Sequence, residues 1–253
     1  MQTIARTYPC RALLHRWGKA PSQQCLLCGG ESESVAHVQC WCPTMREASI
    51  AVHHALAGRI LAMLQEHNIG RWQFHAELAV GSLRAIDVPL DMYDVWNRMV
   101  DALEEMAPDV DMSDSERPQV LARLRPDAFA ISWSTRRILL LELTCAHDWK
   151  QDWAHTTDSF KVRRYQHLQE QMQDLLPGGW AVETVPLSIG IRVSLDKPSW
   201  LRILGRFGIT APTTQEHFLR DLTRQALEEL DRMYGVRSEA LRQLQTGPDA
   251  QRR

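Results

Sequence analysis

The chain has no run of 18 apolar residues, no large excess of either charge, and no apolar leader after Met1-Gln2-Thr3. The first absence leaves no candidate membrane-spanning helix, so no membrane is expected as a partner. The second, a formal net charge of −2, gives nucleic-acid binding no support from composition; a basic surface has to be local. The third makes a reducing compartment the expectation. Disulfides are then disfavoured, and the six cysteines are unevenly placed. Cys10 and Cys145 stand apart, whereas Cys25, Cys28, Cys40 and Cys42 crowd around His37, which favours a metal.

What is present is an ordinary globular composition, 44% hydrophobic and 24% charged over 253 residues. That length can bury a real core, as one large domain or a main domain with a small appendage. Leu13, Leu14 and Trp17 at helical spacing predict a basic helix within 1–24, with Arg6, Arg11, Arg16 and Lys19. A longer helix over 44–65 has Leu56, Ile60, Leu61 and Leu64 in its apolar set. Residues 69–90 are mixed, with room for a short strand or two. Asp91 is positioned to cap a helix that buries Val95, Trp96, Met99 and Leu103. Residues 108–118, acidic and bounded by prolines, read as an exposed loop.

The apolar period then changes from helical to alternating. Residues 127–133 alternate, 134–137 make a polar turn, and 138–143 form an apolar run interrupted only by Glu142, which is the pattern of a β-hairpin. A helix follows from Thr157 or Asp158 to about Leu176, closed by Pro177-Gly178-Gly179. Strands are predicted over 180–187 and 189–195, and helices over 198–245 with a break near 205–212. Residues 247–253 are expected to fray. Strand, strand, helix, strand is the grammar of an α/β core, and no internal repeat is visible.

The hairpin carries the chemistry. With Ser134-Thr135 as a two-residue turn, Asp127 faces Glu142, with Cβ atoms ~5 Å apart. Two opposed carboxylates repel unless a cation lies between them, and Mg²⁺ suits such oxygen ligands. Water made more acidic by that ion can attack a phosphodiester. In isolation Asp127 could equally cap a strand start after Pro126, and Glu142 could be an exposed strand-end residue. Against that, Glu142 closes the run Ile138-Leu139-Leu140-Leu141, which reads as a strand buried on both faces. On the next helix Lys161, Arg164, Tyr165, Leu168 and Met172 fall on one face. A lysine on a core-facing stripe needs a reason; here it could orient water or offset phosphate charge, or else snorkel from the first turn. His53, His54 and Glu104 are side chains that could complete the metal site.

The cysteine segment has the spacing Cys25-x2-Cys28-x8-His37-x4-Cys42, which fits a closed, tetrahedral structural Zn²⁺. Gly29-Gly30 allows the turn after the Cys-x2-Cys knuckle, and His37 is expected on a short helix capped near Ser32 or Ser34. Cys40 competes with Cys42 as the fourth ligand.

The ordered set resembles the C-terminal region of non-LTR retrotransposon polyproteins that use a restriction-like endonuclease. The shared parts are the Cys25, Cys28, His37, Cys42 knuckle, Arg125-Pro126-Asp127, Glu142-Leu143-Thr144 and Lys161-x3-Tyr165, with Trp180, Pro186 and Gly190 beyond them. The family's His-x4-Cys step favours Cys42 over Cys40. The resemblance implies an α/β PD-(D/E)xK nuclease core, a mixed central sheet flanked by helices, with an N-terminal CCHC zinc knuckle and a helical C-terminus. It implies Asp127 and Glu142 as Mg²⁺ ligands, Lys161 and Tyr165 as catalytic partners, and Arg125, Arg163 and Arg164 as nucleic-acid contacts. Thr144 stands where the motif lysine is usual, and the family moves that lysine to the next helix, as at Lys161.

The implied organisation is a basic helix and knuckle over 1–45, a helical linker region over 46–110, the nuclease core over 111–197, and C-terminal helices with a tail over 198–253. The implied activity is nicking of chromosomal DNA, in the nucleus, so that the exposed 3′ end primes reverse transcription. Implied partners are DNA, the element's RNA and a reverse transcriptase domain, which these residues do not include. Arg123, Arg136 and Arg137 are further cations available to line a DNA cleft. The chain departs from the family at Val52-His53-His54, at Ala146 in place of a proline, and at Val162 and Arg164 in place of lysines. Two alternatives are a zinc-containing nucleic-acid-binding remnant without activity and a host-derived nuclease of the same fold.

Overall fold

A computed structural model of the protein describes residues 10–67, 71–106, 121, 124–146, 148 and 152–246. The expected acidic loop over 108–118, Arg6, Arg123 and the frayed tail lie outside the described residues. Within them the chain is a mixed α/β structure: a four-stranded sheet with helices on both faces, and a Cys/His cluster near the N-terminus.

The sheet runs β1 (Gln73–Ala76), β2 (Ala128–Ser132), β3 (Arg137–Ala146) and β4 (Ala181–Gly190), in that spatial order. The first two pairings are antiparallel and β3–β4 is parallel. Strand β3 organises it, because its apolar run is buried on both faces as the sequence predicts. Leu139, Leu141 and Leu143 point into a core shared with α2 (Arg46–Glu66), α5 (Lys197–Arg206) and α6 (Pro212–Thr246). Ile138 and Leu140 point the other way, into a core with α3 (Tyr93–Glu105) and α4 (Trp153–Leu175). Each buried leucine contributes about 1.5–3 kcal/mol, so both layers are firmly held to this strand. The long helix α4 is the crossover that a parallel β3–β4 pair requires.

The hairpin register agrees with the expected pairing, since Ala128 pairs with Leu141 and Ser132 with Arg137. The turn is longer than expected, however, spanning residues 133–136. Arg136 takes a left-handed φ of 53°, and Trp133 leaves the ladder to donate its indole N–H to Gln73 Oε1 at 2.8 Å. The loop stays centred on Ser134-Thr135, so the register survives.

Other expectations are corrected. Among the described residues the basic N-terminal helix is α1, Arg11–Arg16, with Gly18 just beyond it at a φ of 69°. Asp91 does not cap α3; the helix starts at Tyr93 with no side-chain cap. Helix α4 opens at Trp153, a turn before Thr157. The two strands expected over 180–187 and 189–195 are one strand, β4, which stops at Gly190. Gly190 N donates to Ser194 O at 2.8 Å in a reversal, and a Cβ on Gly190 would collide with Ser194 and Asp148. Residues 46–110 do more than link, because β1 extends the sheet and α2 supplies one wall of its core.

Strand β4 is a sheet edge, and the protein covers it. Gln173 and Gln169 of α4 accept from Val182 N at 2.8 Å and Thr184 N at 3.0 Å. Pro186 has no N–H to offer, and Trp200 Nε1 donates to Ser188 O at 3.0 Å. With Val182 N and Thr184 N taken and Pro186 lacking an N–H, this stretch of the edge resists pairing with another chain.

Candidate functional site

Strand β2 begins at Ala128, opposite Leu141, so β3 outruns it. Pro126 is buried and lacks an N–H, which ends the ladder there. Asp127 takes over with its side chain, as Oδ2 accepts from Leu143 N at 2.6 Å. Its own carbonyl accepts from Glu77 N at 2.9 Å. The carboxylate is thus fixed by the strand that carries Glu142. The side chains of Asp127 and Glu142 lie on the α4 face of the sheet, by alternation from Phe129 and Leu140.

Glu142 is buried, and α4 provides both of its partners. Lys161 Nζ donates to Oε1 at 2.7 Å, and the Tyr165 hydroxyl donates to Oε2 at 3.0 Å. Leu168 and Met172, both buried, extend the same helical stripe. Burial and the charge of Glu142 push the Tyr165 phenol well above its ordinary pKa, so it remains a donor. Lys161 and Tyr165 thus both bond Glu142, and Asp127 is held by the N–H of Leu143, the residue that follows Glu142.

Helix α2 adds His53. Its Nε2 lies 3.4 Å from Asp127 Oδ2 and 3.3 Å from Leu143 O, a carbonyl left unpaired by the short β2. Hydrogen bonding to Asp127 raises the His53 pKa against the opposing effect of burial. Of the other candidates, His54 turns to Glu77 at 3.4 Å, and Glu104 pairs with Arg84 on α3's far side. Thr144, where the motif lysine would stand, has a buried Oγ1 with no hydrogen-bond partner among the described residues.

The arginines expected as nucleic-acid contacts lie around this site as follows. Arg125 is exposed but tied to Glu77, whose Oε2 accepts from it at 2.8 Å and whose carbonyl takes its Nε. Glu77 holds this place in a left-handed conformation with φ 50°. Arg163 is exposed and bonds back to Ser159 O at 3.3 Å. Arg164 is exposed too, at the rim of the α4 stripe and not within it, with its guanidinium 5.6 Å from the Tyr165 ring centroid. Arg136 and Arg137 lie at the hairpin turn, about 17 Å along the strand from Glu142, and do not line the site.

The second cluster is the Cys/His group. One ligand atom from each of Cys25, Cys28, His37 and Cys42 lies within 4.8 Å of the others, so these four could hold a metal ion. Cys25 and Cys42 sulfurs are 4.0 Å apart, and Cys28 Sγ is 3.3 Å from His37 Nε2. Tetrahedral Zn²⁺ with bonds of roughly 2.3 Å to sulfur sets its ligands ~3.8 Å apart, so the fit is close. Ser34 Oγ accepts from His37 N at 3.0 Å, which starts the short helix as expected, here a π-helix over His37–Trp41. Gly29 takes φ 75°, and a Cβ on Gly30 would sit only 3.1 Å from His37 Cε1. Cys40 is exposed and outside the group.

Without a metal the thiols are unlike one another. Burial pushes Cys25 up to about 12. For Cys28 burial acts in the same sense but is outweighed by the N–H of Gly30 and by the neighbouring thiols, so its pKa is lowered.

The whole knuckle is anchored to α6. Cys25, Val38 and Cys42 pack on Leu230, Met233 and Tyr234. Beneath them the fully buried Glu33 carboxylate pairs with Arg237 and accepts from Arg11 N at 2.9 Å. Sequence reading missed this pair, since 204 residues separate its members. It also missed Glu77 and the Leu143 carbonyl; a backbone oxygen leaves no signature in residue type.

No protein-family model matches the chain, and no curated protein matches it either. The likeness to retroelement endonucleases accordingly rests on the ordered motifs.

Proposed function

We propose that the protein is a metal-dependent DNA endonuclease, and that the Cys25, Cys28, His37, Cys42 cluster binds a structural Zn²⁺. The observation that carries this reading is the bonding of Lys161 and Tyr165 to Glu142 on β3, with the Asp127 carboxylate held by the next backbone N–H of the same strand. The resemblance extends the proposal to a PD-(D/E)xK core that nicks target DNA for reverse transcription of a retroelement, in a nucleus, beside element RNA and a polymerase domain.

Carboxylate oxygens from Asp127 and Glu142 suit a hard divalent ion such as Mg²⁺, and the partly exposed Asp127 is the side of the pair open to water. A bound ion would supply Lewis acidity toward a phosphate oxygen and an attacking water. The protein's own share is positioning and charge. The Leu143 N–H holds one oxygen of Asp127, and Tyr165 holds Glu142 in place. Lys161 brings a cation within hydrogen-bond distance of Glu142, able to swing toward a phosphate whose negative charge grows in the transition state. Arg163 and Arg164, both exposed on α4, are the cations best placed to meet a DNA backbone.

The test is plasmid nicking with and without divalent metal. Asp127→Asn and Glu142→Gln should each lower nicking by about a thousandfold or more while the far-ultraviolet circular dichroism is unchanged. Nicking at the wild-type rate in either variant would reject the assignment. A wild-type protein that binds DNA but never cuts it would favour the inactive remnant, a reading supported by the capture of both Glu142 oxygens within the protein.

A further inference from the structure

We propose that Phe160 is a stacking platform for an unpaired base, so that DNA is held on α4 as an opened single strand beside the Asp127–Glu142 carboxylates. The proposal rests on the endonuclease reading for its substrate and adds the form in which that substrate is bound.

Its basis is one face of α4. Phe160 is 60% exposed there. A single exposed apolar side chain is ordinary; what sets this one apart is its surroundings. Its helical neighbours are Thr156 and Thr157 on one side and Arg163 and Arg164 on the other, with His167 beyond them. Such neighbours stand ~5–6 Å apart at Cβ. From Thr156 to His167 this face carries no carboxylate. Arg163 is held by its Nε–H to Ser159 O at 3.3 Å, and the Arg164 guanidinium lies 5.6 Å from the Tyr165 ring centroid. In a chain of formal net charge −2, this is a local basic surface of the kind that attracts a phosphate backbone. Leu90, 96% exposed, is instead followed by Asp91, whose charge would repel phosphate.

The chemistry then selects the form of the ligand. Lys161, the next residue, donates to Glu142 and stands about 100° round the helix from Phe160. A strand lying across this turn of α4 can set a phosphate near Lys161 and a base on Phe160, with the arginines on backbone oxygens. Phenylalanine has no donor or acceptor, so it meets the face of a base and not its edge. In a duplex both faces of each base are already stacked, and only a base that has left the helix offers one. Every base has such a face, so the contact is tolerant of sequence.

The experiment uses the zinc-loaded full chain with no added Mg²⁺, which separates binding from cutting. Fluorescence anisotropy measures its affinity for a labelled oligo-dT strand of about 20 nucleotides and for a duplex of the same length. Phe160→Ala should weaken binding of the strand about tenfold and of the duplex by less than about twofold. Its slope of log affinity against log salt should match the wild type, because no cation is lost. The double variant Arg163→Gln, Arg164→Gln should weaken both ligands and flatten that slope by about one to two. Phe160→Trp, which keeps a stacking ring, should restore the affinity for the strand. Far-ultraviolet circular dichroism checks that each variant keeps its helices.

Equal losses on strand and duplex in Phe160→Ala, no loss on either, or a wild type that binds neither would overturn the platform. Plasmid nicking by the wild type, with strand binding indifferent to Phe160→Ala, would overturn this inference alone. Strand binding that depends on Phe160 in a protein that never nicks would remove the nuclease reading and leave the platform in place.

Discussion

Lys161 closes a 2.7 Å ion pair with Glu142 from about two turns inside α4. Both side chains are largely buried, at 15% and 7% exposure. In that setting each charge is tolerated only because the other is there. The pair therefore ties α4 to β3 as well as setting a cation beside the carboxylates.

Removing one member should cost far more than removing both. Lys161→Met should lower stability by about 3 kcal/mol, because it strands a buried carboxylate with Tyr165 as its remaining partner. The double variant Lys161→Met, Glu142→Gln should recover most of that loss, giving a large coupling energy in urea unfolding. Additive losses in the two single variants would show that the pair is not coupled.

The zinc proposal makes a sharp contrast between two neighbouring cysteines. Cys42→Ser should strip the metal and lower stability by several kcal/mol, since a structural zinc contributes folding energy directly. Cys40→Ser should leave one zinc per chain and an unchanged melting temperature, because Cys40 is exposed and outside the cluster. Metal content by mass spectrometry decides between them.

The Glu33–Arg237 pair is the hinge of the knuckle's attachment. Arg237→Met leaves the fully buried Glu33 with only the Arg11 N–H, and should destabilise the protein by roughly 3–5 kcal/mol. Hydrogen exchange should quicken across 25–42 and the facing turns of α6, while β3 stays protected. Uniform protection would mean that the knuckle docks through its apolar contacts alone.

Asp158 supplies a pH signature away from the carboxylate pair. Burial raises its pKa in the folded protein, offset in part by the Ser188 hydroxyl donated to it at 2.7 Å. The folded state then holds a proton at Asp158 more tightly than the unfolded chain does. Ionised Asp158 opposes folding above its folded pKa, and that opposition fades as the pH falls toward its ordinary value of 3.8. Asp158→Asn, which can still accept from Ser188, should melt higher than wild type at pH 7 and equal it near pH 3.8. A gap that does not narrow on acidification would assign the effect to packing.

Much of the candidate site was legible because it is local. Alternation over 127–133, a polar turn and an apolar run placed Asp127 across from Glu142, and two extra loop residues did not disturb that register. Helical spacing put Lys161 and Tyr165 on one stripe, and both bond to Glu142. Arg164 shares the spacing yet stays exposed, since a period of 3.6 marks a stripe's direction and not its width.

Short-range sterics and apolar periodicity thus determined, from sequence by itself, the hairpin, the helix after it and the ligand-like run of cysteines. Tertiary packing decided the rest. It brought His53 from α2 to the exposed end of β3, tied Arg125 to Glu77, chose Cys42 over Cys40, and joined Glu33 to Arg237. Each of these links residues far apart in the chain or depends on a backbone oxygen. Their meeting is set by how layers of the sheet and helices stack, which no local pattern encodes.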